Sequence, residues 1–189
     1  MQSKCFNFVN IKKMHPRILL DIRYATDHNF MKKKLYSTPR CFLRKSVADK
    51  LARIQDDLEK KGLGLKIFDG YRPLSVQKML WELLPDPRYV ADPQKGSCHN
   101  RGAAVDLTLV DEKGNPLEMP TDYDDFTFRA HRDCLDLPEQ VIKNRDALQE
   151  IMLKEGFIPL ATEWWHFDDE NWQHFPLEDR SFEELEVTG

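Results

Sequence analysis

Several things are missing from this chain, and each absence removes a class of function. No run approaches the ~18 apolar residues of a membrane-spanning helix, so no membrane protein is expected. The opening residues, Met1-Gln2-Ser3-Lys4-Cys5-Phe6-Asn7-Phe8, lack the apolar core of a secretory signal, so a cytoplasmic location is expected. The largest basic block is Lys32-Lys33-Lys34, and the formal net charge is −4. A nucleic-acid partner therefore has no electrostatic support, and that lysine run reads as a solvated loop beside Ser37-Thr38-Pro39. The four cysteines, at 5, 41, 98 and 134, form no Cys-x-x-Cys pair. This excludes a structural zinc cluster or redox motif and leaves reduced thiols as the expectation. Internal repeats and low-complexity tracts are also absent.

What is present fits one compact domain over residues 1–189, with 41% hydrophobic and 32% charged residues. Ser46 is placed to cap a helix whose Val47, Leu51, Ile54 and Leu58 share a face, with Gly62 and Gly64 beyond its end. Leu65-Lys66-Ile67-Phe68 reads as a short strand stopped by Asp69-Gly70. Pro73 sits near the start of a second helix bearing Val76, Met79, Leu80 and Leu83, closed by Pro85, and a Pro- and Asp-rich loop runs to Gly96. Ala104 to Val110 alternates as a strand, with Val105, Leu107 and Leu109 on one face and Ala104, Asp106 and Thr108 on the other. Pro138 suits the first turn of a third helix carrying Val141, Leu148, Ile151 and Met152, with Gly156 at its end. Phe157-Ile158 and Trp164 to Asp168 supply further strand-like pieces. Helices and strands do not alternate regularly, so the fold class expected is α+β with a small, largely antiparallel sheet flanked by helices.

Two stretches carry chemistry. Glu163-Trp164-Trp165-His166 sets a carboxylate three residues before a histidine, and His99 stands seven residues before Asp106. His99, Asp106 and His166 make a three-ligand set for one zinc ion, with a fourth position left for water, and Glu163 remains to act on that water. Asp106 is the odd residue on an apolar strand, either metal-bound or on the wet face of an edge strand. Cys98 is a neighbour of the set, because adjacent residues rarely ligate one ion together. Glu163 and His166, three apart, would face opposite ways on a regular strand, so a bend at Glu163-Trp164 is expected. The two tryptophans read chiefly as core. Arg72, in Asp69-Gly70-Tyr71-Arg72-Pro73, either supplies a second positive group to an oxyanion or is a surface arginine that caps a helix or pairs with Asp69.

With these residues assembled, the chain resembles the VanX-type D-alanyl-D-alanine dipeptidases, zinc D,D-peptidases with a hedgehog-like fold. The likeness runs from about Ile18 to Phe182. It includes Asp21-Ile22-Arg23-Tyr24-Ala25-Thr26 with Asn29-Phe30, and Asp69-Gly70-Tyr71-Arg72-Pro73. It continues through Ser97-x-His99-x-x-Gly102-x-Ala104-x-Asp106-Leu107-Thr108, Met119-x-Thr121-x-Tyr123-Asp124 and Glu163-Trp164-Trp165-His166. The resemblance implies zinc ligation by His99, Asp106 and His166, Glu163 as catalytic base and Arg72 as transition-state stabiliser. It also implies that Asp124, helped by Tyr24 and Ser97, holds the free ammonium of a small D,D-dipeptide. Read alone, Asp124 is one acid of the run Asp122-Tyr123-Asp124-Asp125. Two positions depart from the family pattern: Cys98 stands where a second serine is common, and Pro120 where a glycine is common before Thr121. His15, His28, His131 and His174 match no ligand position. The alternatives are a D,D-carboxypeptidase or endopeptidase on cell-wall peptides and a non-catalytic zinc-binding module. An oligomeric state is not legible.

Overall fold

Strand pairing decides where the candidate residues come together. The structure, a computed structural model, describes residues 7–188; the stretch through Phe6 that was read for a secretory signal, including Cys5, lies outside the described residues. In chain order the elements are β1 (Phe8–Asn10), α1 (Ile11–Met14), β2 (Leu19–Leu20), β3 (Phe42–Arg44), α2 (Lys45–Glu59), β4 (Leu63–Asp69) and α3 (Leu74–Leu83). They continue with β5 (Ala104–Asp111), α4 (Glu139–Lys154), β6 (Phe157–Pro159), β7 (His166–Asp169) and α5 (Phe182–Thr188). A five-stranded sheet runs β2-β4-β5-β7-β6, antiparallel except for the parallel β2–β4 pair, and β1 pairs with β3 in a second, two-stranded sheet. This is the α+β arrangement with a small, largely antiparallel sheet that the residue pattern predicts.

β5 is the middle strand. Val105, Leu107 and Leu109 are buried, and so are Ala104, Asp106 and Thr108. Both faces are covered, so the edge-strand reading of Asp106 is overturned: the residue is 2% exposed at the centre of the sheet. α2 packs on β4, and α4 on β6 and β5. The spaced residues Val47, Leu51, Ile54 and Leu58 of α2 all enter the core, as do Val141, Leu148 and Met152 of α4.

Two local expectations need correction, and one helix buries a narrower face than its apolar residues offer. Ser46 does not cap α2. Strand β3 runs straight into the helix, so Arg44, paired with Phe8, takes the cap position without a side-chain cap bond. In α3, Val76 and Leu80 are buried, but Met79 and Leu83 are 48% and 57% exposed. The buried stripe there is narrow and includes Gln77, a polar residue drawn inward by a bond described below. Finally, the last strand starts at His166, with Trp164 and Trp165 in a turn before it, so the strand-like reading of 164–168 was too long at its start. The short pieces β1, β3, α1 and α5 have no periodicity long enough to read. They are held by packing, for example Phe182 of α5 against Tyr36 with ring centroids 4.7 Å apart. Lys32, Lys33 and Lys34 are exposed, as the loop reading expects.

Candidate metal centre

The sheet register sets three acidic or imidazole side chains in a row. Asp69 of β4 is paired with Asp106 of β5, and Asp106 with His166 of β7. Directly opposed residues point to one face. Asp69 reaches this row only because the β4–β5 ladder shifts register between Ile67 and Asp69. That irregularity leaves Phe68 as the extra residue and re-aims Asp69, a common use of a β-bulge. His99 comes from outside the sheet, on a short 3-10 turn (His99–Arg101) closed by Gly102 at φ 67°. A side chain at Gly102 would be strained there, and its Cβ would lie 2.2 Å from the Phe8 ring.

The ligand atoms converge. His166 Nδ1 lies 3.0 Å from Asp106 Oδ1 and 3.2 Å from His99 Nε2, and His99 Nε2 lies 3.3 Å from Asp106 Oδ1. Each of these groups is held from behind. His99 Nδ1 donates to the Gly70 carbonyl at 2.7 Å, His166 Nε2 faces Asp168 Oδ1 at 2.9 Å, and Asp106 Oδ2 accepts from the Tyr123 hydroxyl at 2.9 Å. Such outer partners fix tautomer and ring orientation in metal sites. Two imidazole nitrogens and one carboxylate oxygen, close together and buried, are a donor set suited to zinc. Burial alone would raise the Asp106 carboxyl, but His99 and His166 outweigh it and hold it well below the usual range. Burial alone would lower His166, but Asp168 and Asp106 raise it well above its usual value.

Glu163 lies on the turn before β7, its carboxylate 4.0 Å from His166 Nδ1. The expected bend is present: the Glu163 carbonyl accepts from the His166 N–H across the turn. Burial pushes the Glu163 carboxyl up to about 8, against the opposing pull of His166. The turn is tied to the segment at 130–132. Trp164 N–H donates to the Ala130 carbonyl, and Arg132 donates to the carbonyls of Leu160 (2.9 Å) and His166 (3.0 Å).

Arg72 is buried. Its Nε and Nη2 both donate to Asp69 Oδ2, at 3.0 and 2.8 Å, and its Nη1 donates to Gln77 Oε1 at 2.9 Å. Nη2 also stands 3.9 Å from Asp106 Oδ2. The surface reading of Arg72 is overturned, while its expected pair with Asp69 is present and holds the guanidinium beside the ligand cluster. Asp124 has φ 60°, and its carboxylate accepts from the Tyr24 hydroxyl at 3.1 Å. Burial, then the nearby Asp106, pushes the Asp124 carboxyl well above its usual range, and among the described residues it forms no ion pair. Burial keeps the Tyr24 phenol protonated as a donor. Ser97 accepts the His99 N–H at 3.2 Å through its hydroxyl oxygen. All eight residues singled out in the sequence line one cavity of about 220 Å³: Tyr24, Arg72, Ser97, His99, Asp106, Asp124, Glu163 and His166. Asp69, Gln77, Tyr123 and Asp168 act on them without having been singled out. Cys41, Cys98 and Cys134 are free thiols, and Cys98 lines the cavity.

An α+β sheet carrying a buried two-histidine, one-aspartate cluster, with a glutamate and an arginine beside it, defines the class of metallopeptidases. Within that class the chain belongs to the peptidase M15 family described as D-ala-D-ala dipeptidase, which matches residues 4–186. It is 38% identical over 175 residues to the D-alanyl-D-alanine dipeptidase of Escherichia coli (strain K12), covering 93% of this chain and 91% of that one. It is 32% identical over 185 residues to the protein of the same name from Streptomyces coelicolor, covering 85% and 90%. Two solved structures show partial likeness. The vancomycin-resistance D,D-pentapeptidase VanY, in complex with Zn(II), has a TM-score of 0.44 and 16% identity over 70% of this chain and 75% of that one. The LdcB LD-carboxypeptidase has a TM-score of 0.45 and 21% identity over 78% and 69%. The family assignment rests on the sequence matches. No helix among the described residues is long and apolar enough to cross a membrane.

Proposed function

We propose that this chain hydrolyses D-Ala-D-Ala, or closely related small D,D-dipeptides, to free amino acids, using one zinc ion held by His99, Asp106 and His166. The observation that carries this reading is the sharing of one cavity by that cluster, the buried Glu163 and the half-buried Asp124, which forms no ion pair among the described residues. At about 220 Å³ the cavity is smaller than the ~300–1,000 Å³ typical of pockets for drug-sized ligands, which suits a dipeptide.

When bound, the zinc supplies Lewis-acid polarisation of the scissile carbonyl and lowers the pKa of a water in its open position. Glu163 takes a proton from the attacking water and hands it to the departing amine. Arg72 offers fixed positive charge to the carbonyl oxygen as it becomes negative, and the bonds from Asp69 and Gln77 spare it any reorganisation. Asp124 provides the counter-charge for the free ammonium, with Tyr24 holding its carboxylate and Ser97 adding a hydroxyl on the cavity wall.

The test is a panel assay with and without chelator: D-Ala-D-Ala, L-Ala-L-Ala, an N-acetylated D,D-dipeptide and a wall pentapeptide. Chelator-sensitive release of alanine from D-Ala-D-Ala, with poor turnover of the other three, is expected. Turnover of the pentapeptide but not the free dipeptide would replace this reading with that of a D,D-carboxypeptidase. Zinc binding without turnover of any substrate would leave a non-catalytic zinc module.

A further inference from the structure

Of the two histidines in the cluster, His99 turns its outer nitrogen to the Gly70 carbonyl, with Asp69 Oδ2 3.9 Å away, whereas His166 turns its outer nitrogen directly to a carboxylate. His166 Nδ1 faces Asp106 Oδ1 and His99 Nε2, and its Nε2 lies 2.9 Å from Asp168 Oδ1. A neutral imidazole can offer a lone pair from one nitrogen only if its proton sits on the other. Two residues apart on β7, His166 and Asp168 share a strand face, so the carboxylate is delivered to the ring by the strand itself. Cys98, immediately before His99, lines the same cavity as Asp168.

We propose that Asp168 is a positioning residue for the centre: it holds His166 as the Nε2–H tautomer and presents Nδ1 to zinc. This rests on the zinc reading above.

The experiment uses the full chain, stripped of metal and titrated with Zn²⁺ against a chromogenic competing chelator, as wild type, Asp168→Ala, Asp168→Asn and Cys98→Ser. Loss of a partner behind a ligating histidine weakens metal binding by roughly 10–100-fold, and that loss is expected for Asp168→Ala. Asp168→Asn keeps an oxygen that can accept from Nε2–H and should recover part of it, and Cys98→Ser, a control on the cavity wall beside His99, should stay within about threefold of wild type. Cobalt absorption of the substituted proteins gives a second readout: a changed ligand-field spectrum is expected for Asp168→Ala and a wild-type one for Cys98→Ser. Circular dichroism of the stripped proteins separates a binding loss from a folding loss, and Asp168→Asn carries the comparison if Asp168→Ala does not fold. Wild-type zinc affinity and an unchanged cobalt spectrum in Asp168→Ala would overturn the inference alone. A wild-type protein that binds no zinc would overturn the metal reading, and this inference with it.

Discussion

Glu163 is the residue whose removal separates binding from chemistry. It contributes no ligand atom to the three-residue cluster, so Glu163→Gln should bind zinc as wild type does while kcat/KM falls by roughly 10²–10⁴-fold. Zinc titration beside an alanine-release assay checks both halves. The same residue predicts a pH effect in the stripped protein. Its carboxyl is raised from 4.5 to about 8 on folding, so the folded state holds this proton more tightly than the unfolded chain. The associated stability is present below about pH 4.5 and is lost as pH rises through about 8. Glu163→Gln cannot ionise and escapes that loss. Its melting temperature should therefore gain on wild type between those limits, as a thermal-melt series in chelator would show. For Asp124→Asn, loss of a charge-assisted contact worth ~1.5–3 kcal/mol should weaken free D,D-dipeptides by about 10–100-fold and leave N-acetylated ones nearly unchanged. Steady-state KM values for the two substrates check this, and equal losses would remove Asp124 from ammonium recognition. His99, Asp106, His166 and Glu163 were legible as a set from their types and spacing, whereas Arg72 had two readings and Asp124, Tyr24 and Ser97 entered only through the family resemblance. The roles of Gln77, Tyr123 and Asp168 were not legible, because which way each side chain turns is set by helix placement, loop path and strand register and not by a local pattern.

At the level of elements, the segment carrying His99 depends on its closing turn. Gly102 at φ 67° leaves no room for a Cβ, whose nearest neighbour would be Phe8 on β1. Gly102→Ala should cost at least ~1–2 kcal/mol from the left-handed backbone alone, and more from the clash. Denaturant unfolding would read that loss, and a value within error of wild type would contradict the geometry. The main helices were legible because fifteen or sixteen residues allow an apolar period to declare itself. α3 was legible in extent but not in orientation: Gln77 faces inward to hold Arg72, whereas Met79 and Leu83 face out. β1 and β3, three residues each, are defined by each other, and no local pattern announces either.

For the whole molecule, the metal reading makes stability a matter of ligand concentration. A ligand that binds only the folded state at 100 times its Kd adds about 2.7 kcal/mol. Stripping with chelator should therefore lower the melting temperature by several degrees, and zinc should restore it where magnesium does not, since imidazoles disfavour the harder ion. Differential scanning calorimetry checks this, and an unchanged melt on stripping and reloading would count against a resident ion. The fold class was readable from the irregular order of helices and strands. The strand order was not, since it depends on which short segments find one another across the chain.

The bulge at Phe68 makes the row Asp69, Asp106, His166 a graduated scale. Neighbouring rungs of a sheet are about 4.7–4.9 Å apart, and hydrogen-bonded ladders do not stretch. The separation of these groups can change only in whole steps, by a slip of register that would turn each side chain to the other face. Fine adjustment of the centre is therefore left to the parts not on the ladder: the His99 turn and the groups behind the ligands. Random mutagenesis selected for a different metal preference should accumulate its changes there and leave β4, β5 and β7 untouched.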